Sequence, residues 1–324
     1  MKTKRIILSL ATALLMLPAL LSAAQQGQGK GRAAATFLSV LGRPKYVVML
    51  ALGLIALILL LTKKMRNGIK IPLLLLSTFL FGIAANLPIK VFKSFSMHPS
   101  PVCAATKSIL YGFGMPLVVT LAVIVVLTLV GPKLFCGWVC PVGAVQELAA
   151  MLADGLKIKR IKWNFTFSQI VRTGLFLAFA FVSGKGIYHT VVEGQKTALS
   201  IYDPINAFHG FEFGAQPSFW AGLLHYLPLL LTIVLAFKVY RPFCHLVCPV
   251  GLLTHWLEQI ALFRVTLRKS DCTDCGVCTA ETPCAAVPEI LKDAKLRPDC
   301  FACNACVGAC KSCRAFSFGI KRTS

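Results

Sequence analysis

Long apolar runs constrain this chain of 324 residues more than any other feature. A helix needs about 20 mostly apolar residues to cross the hydrocarbon core of a bilayer. Stretches of about this length predict five spanning helices, over residues 45–62, 71–87, 109–130, 167–183 and 219–239. We therefore expect an all-α polytopic membrane protein with about five transmembrane helices and the lipid bilayer as a partner.

The composition excludes the main soluble alternatives. Only 14% of the residues are charged, against about 25% in soluble domains. The hydrophobic share of 56% excludes a disordered chain. The formal net charge of +22 is high enough to suggest a nucleic-acid function. The basic residues, however, lie in short runs between the apolar stretches, as in the loops of membrane proteins, so we expect no nucleic-acid partner.

The beginning of the chain is typical of an exported protein. Residues 1–24 combine a basic start, an apolar run and small residues, as in a signal peptide, which is either removed or kept as an N-terminal anchor. Basic turns favour the cytoplasmic face of a bacterial inner membrane. After residues 1–24 we expect three segments: a periplasmic linker at 25–44, a transmembrane helical domain at 45–263, and a cytoplasmic domain at 264–324.

The motif Phe-Cys-x3-Cys-Pro-x-Gly occurs twice, at residues 135–143 and 243–251. Two apolar runs separate the copies, so both emerge on one face of the membrane. Because proline is favoured in the first turn of a helix, the second cysteine of each copy is expected at a helix start, where the dipole favours thiolate. The first is expected in the preceding loop. The four thiolates either hold a further cluster or act as redox pairs, and inert buried thiols are the alternative. The cysteines concerned are Cys136, Cys140, Cys244 and Cys248.

Nine further cysteines lie between Cys272 and Cys313. They form two triplets with two-residue gaps, and each triplet is followed by a later cysteine. This spacing resembles the bacterial two-cluster ferredoxins, in which a triplet holds most of one [4Fe–4S] cluster and the last cysteine of the run crosses to the other. Zinc is the alternative, but zinc takes four thiolates in paired units, which would leave the third cysteine of each triplet unused.

The ferredoxin resemblance implies a small α+β domain with two [4Fe–4S] clusters and a specific set of ligands. The first cluster would be held by Cys272, Cys275, Cys278 and Cys310, and the second by Cys284, Cys300, Cys303 and Cys306. The sequence departs from the ferredoxin pattern because the first run is longer, Pro283 precedes its last cysteine, and Lys311 replaces a proline. Cys313 is left over, and it is an alternative to Cys310 as a fourth ligand.

Twin cysteine motifs at membrane edges, followed by a two-cluster array, resemble the NapH/NosR-type membrane iron–sulfur proteins over about residues 70–320. Those proteins accompany periplasmic nitrate and nitrous-oxide reductases, and related ones assist copper-enzyme maturation. Residues 25–44 are too short for the periplasmic flavin-binding domain of the nitrous-oxide type. The resemblance implies an electron-transfer subunit rather than a stand-alone enzyme. It would pass electrons between the quinone pool or a cytoplasmic donor and a respiratory or periplasmic reductase.

Two other functions stay open at this point. One is a membrane copper reductase or metal-handling factor that matures a periplasmic metalloenzyme. Its support is the soft donor set of Met97, His98 and Cys103 on the predicted periplasmic side, although a proline-stiffened loop explains the same residues. The other is a zinc-stabilised assembly factor without redox activity. His189 and His209 share the periplasmic side and are candidates for handling protons from a quinol, or are ordinary surface histidines.

Charged residues near the twin motifs receive simpler interpretations. Glu147 and Glu258 follow the two copies at nearly equal distances and are expected to face water. His245 lies inside the second copy, where its charge would tune a thiolate. The chain has no phosphate-binding loop, dinucleotide fingerprint or c-type haem motif.

Overall fold

The computed structural model describes residues 36–84, 87, 89–111, 114–184, 189–192, 195–198, 200–212, 219–292, 299–309 and 315–320. These residues are mostly helical. The α-helices are α1 (Phe37–Leu41), α2 (Pro44–Leu61), α3 (Asn67–Ser77), α4 (Lys90–Lys93), α5 (Pro101–Tyr111), α6 (Met115–Val130), α7 (Pro141–Gly155), α8 (Phe165–Gly184), α9 (Phe219–Ala236), α10 (Pro242–Leu246), α11 (Pro249–Glu258), α12 (Val277–Glu281), α13 (Ala286–Leu291) and α14 (Ala305–Ala309). The expected signal segment at 1–24 lies outside the described residues.

Within the described part of the chain, two helices, Pro44–Leu61 and Phe165–Ser183, are long and apolar enough to cross a membrane. Shorter apolar helical stretches occupy the other three expected spans, at Asn67–Ile83, Met115–Val130 and Gly222–Ala236. The count of five spans is therefore not confirmed. A single helix over 109–130 is wrong, because Gly114 is the N-cap of a new helix with Pro116 in its first turn, a favoured place for proline.

The longer helices present apolar side chains outward. Leu177 and Phe181 in α8 are 61% and 64% exposed, and Val234 in α9 is 65% exposed. Exposed apolar surface of this kind marks contact with lipid or with another protein. The fold thus has an apolar exterior around its helical part, as the sequence predicts.

The two sequence repeats are interleaved rather than separate. Helix α7 follows the first cysteine motif and packs on α9, which precedes the second motif. Helix α11 follows the second motif and packs on α6, which precedes the first. This crossed packing brings both motifs to the same end of the helical part.

Among the described residues, four strands form two antiparallel pairs. Strands β1 (His189–Val192) and β2 (Gln195–Ala198) pair in a segment where no strand is expected from the sequence. Strand β3 (Phe263–Leu267) precedes the cysteine-rich segment, and strand β4 (Phe316–Ile320) follows it. The two strands pair with each other, and the short helices α12–α14 lie between them in the chain. This mixture of strands and short helices agrees with the ferredoxin-like α+β expectation.

The cysteine-rich segment packs on the basic turns between the helices. Asn304 Nδ2 donates to the Met65 carbonyl oxygen at 3.2 Å, next to the basic turn at 63–66. Lys162, in the second basic loop, donates to the Thr279 carbonyl oxygen. The array, the basic turns and the twin motifs therefore share one end of the molecule.

Candidate metal centres

The second cysteine of each motif occupies a helix start, as predicted. Cys140 is the N-cap of α7 and Cys248 is the N-cap of α11, and a proline follows each in the first turn. The first cysteines do not lie in loops, which corrects the expectation. Cys136 lies in a π-helical turn, Phe135–Val139, and Cys244 lies in α10. In each copy this helical turn curls back over the start of the following helix.

A glycine in each copy makes this curling possible. A Cβ on Gly143 or Gly251 would lie closer than 3.0 Å to the main-chain oxygen of the first cysteine of its own motif, a separation that side chains do not tolerate. Arginine side chains fix the same two carbonyl groups. The hydrogen bonds run from Arg241 Nη1 to the Cys136 oxygen (2.7 Å) and from Arg172 Nη1 to the Cys244 oxygen (3.1 Å).

The four motif thiols are buried together. Burial raises the pKa of Cys136 and of Cys140, and the neighbouring Cys244 and Cys248 raise both further. Burial also raises the pKa of Cys248 to about 12, although main-chain N–H groups of α11 oppose the rise. The main-chain N–H groups at the helix starts thus favour thiolate, as expected, but burial and the neighbouring cysteines outweigh them and the pKa of each thiol is raised.

A side chain from one copy also contacts a thiol of the other. Gln146 Nε2 donates to Cys244 Sγ at 3.3 Å, while its Oε1 accepts from the Phe243 N–H at 3.0 Å. Gln146 lies in α7, after the first motif, and both of its partners belong to the second. The thiols of the two copies thus share one polar environment, and whether they hold a cluster or act as redox pairs stays a prediction.

A second set of four thiols forms within the cysteine-rich segment. Burial and then Cys284, Cys303 and Cys300 raise the pKa of Cys306. Burial and Cys303 raise the pKa of Cys284 to about 12. Cys306 is buried and the other three are half-buried. Four cysteines that interact in this way are the donor set that a [4Fe–4S] cluster takes. They are the same four residues that the ferredoxin resemblance assigns to the second cluster, an assignment that stays a prediction.

The first predicted cluster site is described only in part. Cys278 is buried, Cys272 is half-buried and Cys275 is exposed. Cys310 and Cys313, the two alternatives for the fourth ligand, lie outside the described residues. The choice between them therefore stays open.

Phe301 joins the second thiol set to the twin motifs. It lies between Cys300 and Cys303, and its main-chain oxygen would lie 2.5 Å from a Cβ on Gly137, inside the first motif. The Arg241 guanidinium lies 4.5 Å from the centre of the Phe301 ring, a distance at which a cation is attracted to the ring face. The cysteine-rich segment therefore sits directly on the first motif.

Glu147 is buried at the centre of a charged network, so the expectation that it faces water is wrong. Its carboxylate accepts from Lys70 Nζ at 2.5 Å, from Tyr240 Oη at 2.7 Å and from Arg241 Nε at 3.0 Å. Burial alone would raise the pKa of Glu147, but the charges of Lys70 and Arg241 lower it to about 2. Lys70 Nζ also donates to the Cys303 oxygen at 3.3 Å, so this network supports both thiol sets.

Asp299, next to Cys300, is the centre of a second buried network that was not foreseen from the sequence. Its carboxylate is held by two cations and two histidines: Lys133 Nζ at 2.7 Å, Arg172 Nη1 at 2.9 Å, His255 Nδ1 at 2.9 Å and His245 Nδ1 at 3.1 Å. Burial opposes ionisation, but these partners hold the pKa of Asp299 well below its usual range. Glu258 is also buried rather than in water, and burial raises its pKa to about 7.

The repeat itself carries a signal that would have identified two of these residues. Lys133 and Arg241 each stand three positions before the first cysteine of their copy. Each side chain reaches the main chain of the other copy, since Lys133 Nζ donates to the Gly251 oxygen at 2.9 Å and Arg241 to the Cys136 oxygen. A cation at the same repeat position is thus part of the motif.

The comparisons with known proteins fall on the same residues. A family profile described as a 4Fe-4S binding domain matches residues 113–160 and 221–270, which are the two copies of the repeat. An uncharacterized protein of Methanocaldococcus jannaschii is 27% identical over 220 residues, 67% of this chain and 86% of that protein. The ferredoxin-type protein NapH of Haemophilus influenzae is 28% identical, over 62% of this chain and 67% of its own length.

A third relative is the regulatory protein NosR of Pseudomonas aeruginosa, 25% identical over 50% of this chain and 21% of its own length. The resemblance to NapH/NosR-type 4Fe-4S proteins is confirmed. The matched family segments end at residue 270, so they cover the twin motifs and not the cysteines from Cys272 onward. No solved structure matches the chain.

The remaining predicted site residues lie at the opposite end of the helices. Met97 and Cys103 are buried, whereas the His98 ring faces Glu212, with 4.0 Å between Nδ1 and Oε1. His209 also contacts Glu212, at 3.3 Å between Nδ1 and Oε2. The His189 side chain lies outside the described part of the structure. A copper site of Met97, His98 and Cys103 stays a prediction without a described contact between its members.

Proposed function

We propose that this chain is a membrane-bound iron–sulfur protein that transfers single electrons between a membrane or cytoplasmic donor and a reductase partner. The observation that carries the proposal is the seating of the Cys300–Cys306 segment on the first cysteine motif through Phe301. This contact brings the buried thiols of the twin motifs and the partly buried thiols of the cysteine-rich segment to the same end of the helices. Adjacent metal groups are what a path for electrons requires.

The four thiols of Cys284, Cys300, Cys303 and Cys306 would hold one [4Fe–4S] cluster, and Cys272, Cys275 and Cys278 would hold most of another. Such clusters supply one-electron redox chemistry. The protein supplies the ligands and their environment. Here it supplies the buried cations Lys133 and Arg241, whose positive charge opposes the negative charge of thiolate-bound clusters.

The bilayer is proposed from the apolar exterior and the two spanning-length helices, Pro44–Leu61 and Phe165–Ser183. The basic turns contact the cysteine array, and basic turns favour the cytoplasmic side. We therefore assign the array to the cytoplasm of a bacterial inner-membrane protein. Since the hydrocarbon core is about 30 Å thick, delivery of electrons to a periplasmic reductase would need quinone as an intermediary or a further cofactor among the helices.

The first experiment tests for the clusters. The full chain is purified without oxygen and analysed for iron, zinc and acid-labile sulfide, and the reduced protein is examined by EPR. We expect about eight irons per chain from two cubanes and cubane signals on reduction. Cys303→Ala should lose about four of these irons, whereas Cys103→Ala, a buried cysteine outside both sets, should keep them. Colourless protein that contains zinc would refute the proposal.

The second experiment tests electron transfer. Iron-loaded protein in liposomes is mixed with a reduced quinone analogue, and bleaching of the cluster absorption is followed in a stopped-flow instrument. Reduction by the quinol, or by a cytoplasmic ferredoxin-type donor added outside inverted vesicles, supports the proposal. Clusters that dithionite reduces but neither donor does would contradict it.

A further inference from the structure

A group of side chains that could ligate a metal lies far from the twin motifs and the cysteine-rich segment, at the opposite end of the helices. His209 belongs to a short 3-10 helix, Ala207–Phe211, Glu212 follows it, and His225 lies in α9. One ligand atom from each of the three lies within 4.8 Å of those of the other two. Lys45, at the start of α2, donates to the His98 oxygen at 2.8 Å and so holds this end together. Helix α2 has 18 residues, or about 27 Å, and it ends near the cysteine array.

The distances from the Glu212 carboxylate to the two histidine nitrogens are close to those between ligands of one bound ion. Oε2 of Glu212 lies 3.3 Å from His209 Nδ1 and 3.8 Å from His225 Nε2. Nitrogen and oxygen ligands about 2.0–2.1 Å from a tetrahedral ion lie about 3.3 Å from one another. His225 Nε2 is buried and makes no hydrogen bond within the described part of the chain. A ring nitrogen with no donor to accept from is available to a metal.

The site has room for a fourth ligand and access to solvent. His98 Nδ1 lies 4.0 Å from the other carboxylate oxygen of Glu212. The His98 side chain is 70% exposed and that of Glu212 is 42% exposed. An ion can therefore enter from water, and the exposed His98 ring is near enough to become a ligand.

We propose that His209, Glu212 and His225 bind a divalent ion of the zinc–copper(II) class, with His98 as a fourth ligand. Imidazole and carboxylate donors suit this class, whereas copper(I) prefers sulfur. The site therefore differs from the copper site that the sequence suggests at Met97, His98 and Cys103, and shares only His98 with it. The proposal does not depend on the electron-transfer proposal, since it uses neither set of cysteines.

Asn206 lies behind His209 and provides a sensitive test of the geometry. Its Oδ1 accepts from the Phe208 N–H at 3.2 Å, and its Nδ2 lies 3.5 Å from His209 Nε2. Metal at Nδ1 would place the ring proton on Nε2, where an acceptor supports it better than an amide nitrogen. Asn206→Asp keeps a good helix cap and supplies that acceptor. Because such outer partners change metal affinity by 10–100-fold, we expect zinc to bind at least about 10-fold more tightly.

The experiment uses the full chain, purified without oxygen and loaded with iron so that the cysteines are occupied. Zinc is added, bound zinc is measured by equilibrium dialysis, and its ligands are identified by X-ray absorption at the zinc edge. We expect one extra zinc per chain, surrounded by nitrogen and oxygen at about 2.0–2.1 Å. A sulfur shell at about 2.3 Å would overturn the proposal, because it would place the zinc on cysteine.

The variants are Glu212→Gln and the double variant His209→Gln with His225→Gln. The control is Glu289→Gln, which removes the same charge as Glu212→Gln from a similarly exposed position. Iron content shows whether each variant folds. Because Glu212 is partly exposed, we expect Glu212→Gln to have little effect on folding. Loss of an outer partner already costs about 10–100-fold in metal affinity, so we expect loss of a direct ligand in each site variant to weaken zinc binding by at least that much and the control to leave it unchanged. Zinc affinity within about threefold of the wild type in Glu212→Gln, or weaker binding by Asn206→Asp, would overturn the proposal.

Discussion

The last glycine of each cysteine motif provides the sharpest test of how the site is built. Gly143→Ala adds a Cβ that would lie closer than 3.0 Å to the Cys136 oxygen. That oxygen accepts the 2.7 Å hydrogen bond from Arg241. Since main chain rather than a flexible side chain is in the way, the motif must move as a unit, and the hydrogen bond to Arg241 must be lost or strained.

The cost follows from three terms. A hydrogen bond to a charged group contributes about 1.5–3 kcal/mol, and overpacking of a well-packed site costs about 1–3 kcal/mol. Alanine is better than glycine in a helix by about 0.5–1 kcal/mol, which offsets part of the loss. We therefore expect Gly143→Ala to lower the free energy of unfolding by about 2–5 kcal/mol and to reduce the iron content.

Gly155, the last residue of the same helix α7, is the matched control, because a Cβ there meets nothing within 4 Å. Chemical unfolding in mixed micelles gives the free energies, and iron analysis gives the occupancy. Gly251→Ala, in the second copy, should behave like Gly143→Ala. If Gly143→Ala lies within about 0.5 kcal/mol of Gly155→Ala, the usual range for surface substitutions, the close approach does not exist as described.

Three further predictions concern the charged networks and the twin motifs. Glu147→Gln leaves Lys70 and Arg241 without their shared carboxylate and should lower the free energy of unfolding by about 3–5 kcal/mol. Glu289→Gln breaks the exposed ion pair with Lys292 and should lower it by less than about 1 kcal/mol. Equal losses in the two variants would contradict the network. Asp299→Asn should lower the free energy of unfolding by a similar amount to Glu147→Gln, and it should displace Phe301. The displacement is measured as faster alkylation of Cys303. An unchanged alkylation rate would show that Asp299 does not position the cysteine-rich segment. Cys140→Ala should keep about eight irons per chain, because neither of the two proposed clusters uses the twin motifs; a wild-type content of about twelve irons that falls by about four in this variant would show that the twin motifs hold a cluster as well.

Much of the fold could be predicted because it follows from local patterns. The apolar runs became helices, and the prolines after Cys140 and Cys248 marked helix starts correctly. The expected single helix over 109–130 failed because Gly114 and Pro116 start a new helix inside an apolar run, and hydropathy does not register such a break. The interleaving of α7 with α9 and of α11 with α6 depends on packing between distant segments, which no local pattern encodes.

In the candidate site, too, local features could be predicted from the sequence and features that depend on distant segments could not. Cysteine spacing is local, so the two triplets could be recognised in the sequence, whereas the fourth ligands came from the ferredoxin resemblance and stay predictions. The carboxylates could not, because Glu147 and Asp299 acquire their partners from helices far away in sequence. A lone glutamate on a helix is usually solvated, and only the structure shows that Lys70 and Arg241 meet at this one. The equal placement of Lys133 and Arg241 before the two motifs was the available clue.

The balance of buried charge explains why the thiol sets and the networks occur together. Four buried cations, Lys70, Lys133, Arg172 and Arg241, surround two carboxylates that are held ionised, Glu147 and Asp299. Uncompensated buried charge is costly, so this surplus of positive charge favours an anionic group nearby. Four thiolates around a metal core have a net negative charge. The cations lie next to the thiols, since they donate to the main-chain oxygens of Cys136, Cys244 and Cys303. The networks therefore stabilise the loaded state more than the empty one, so loss of metal should loosen the packing of the cysteine-rich segment on the twin motifs.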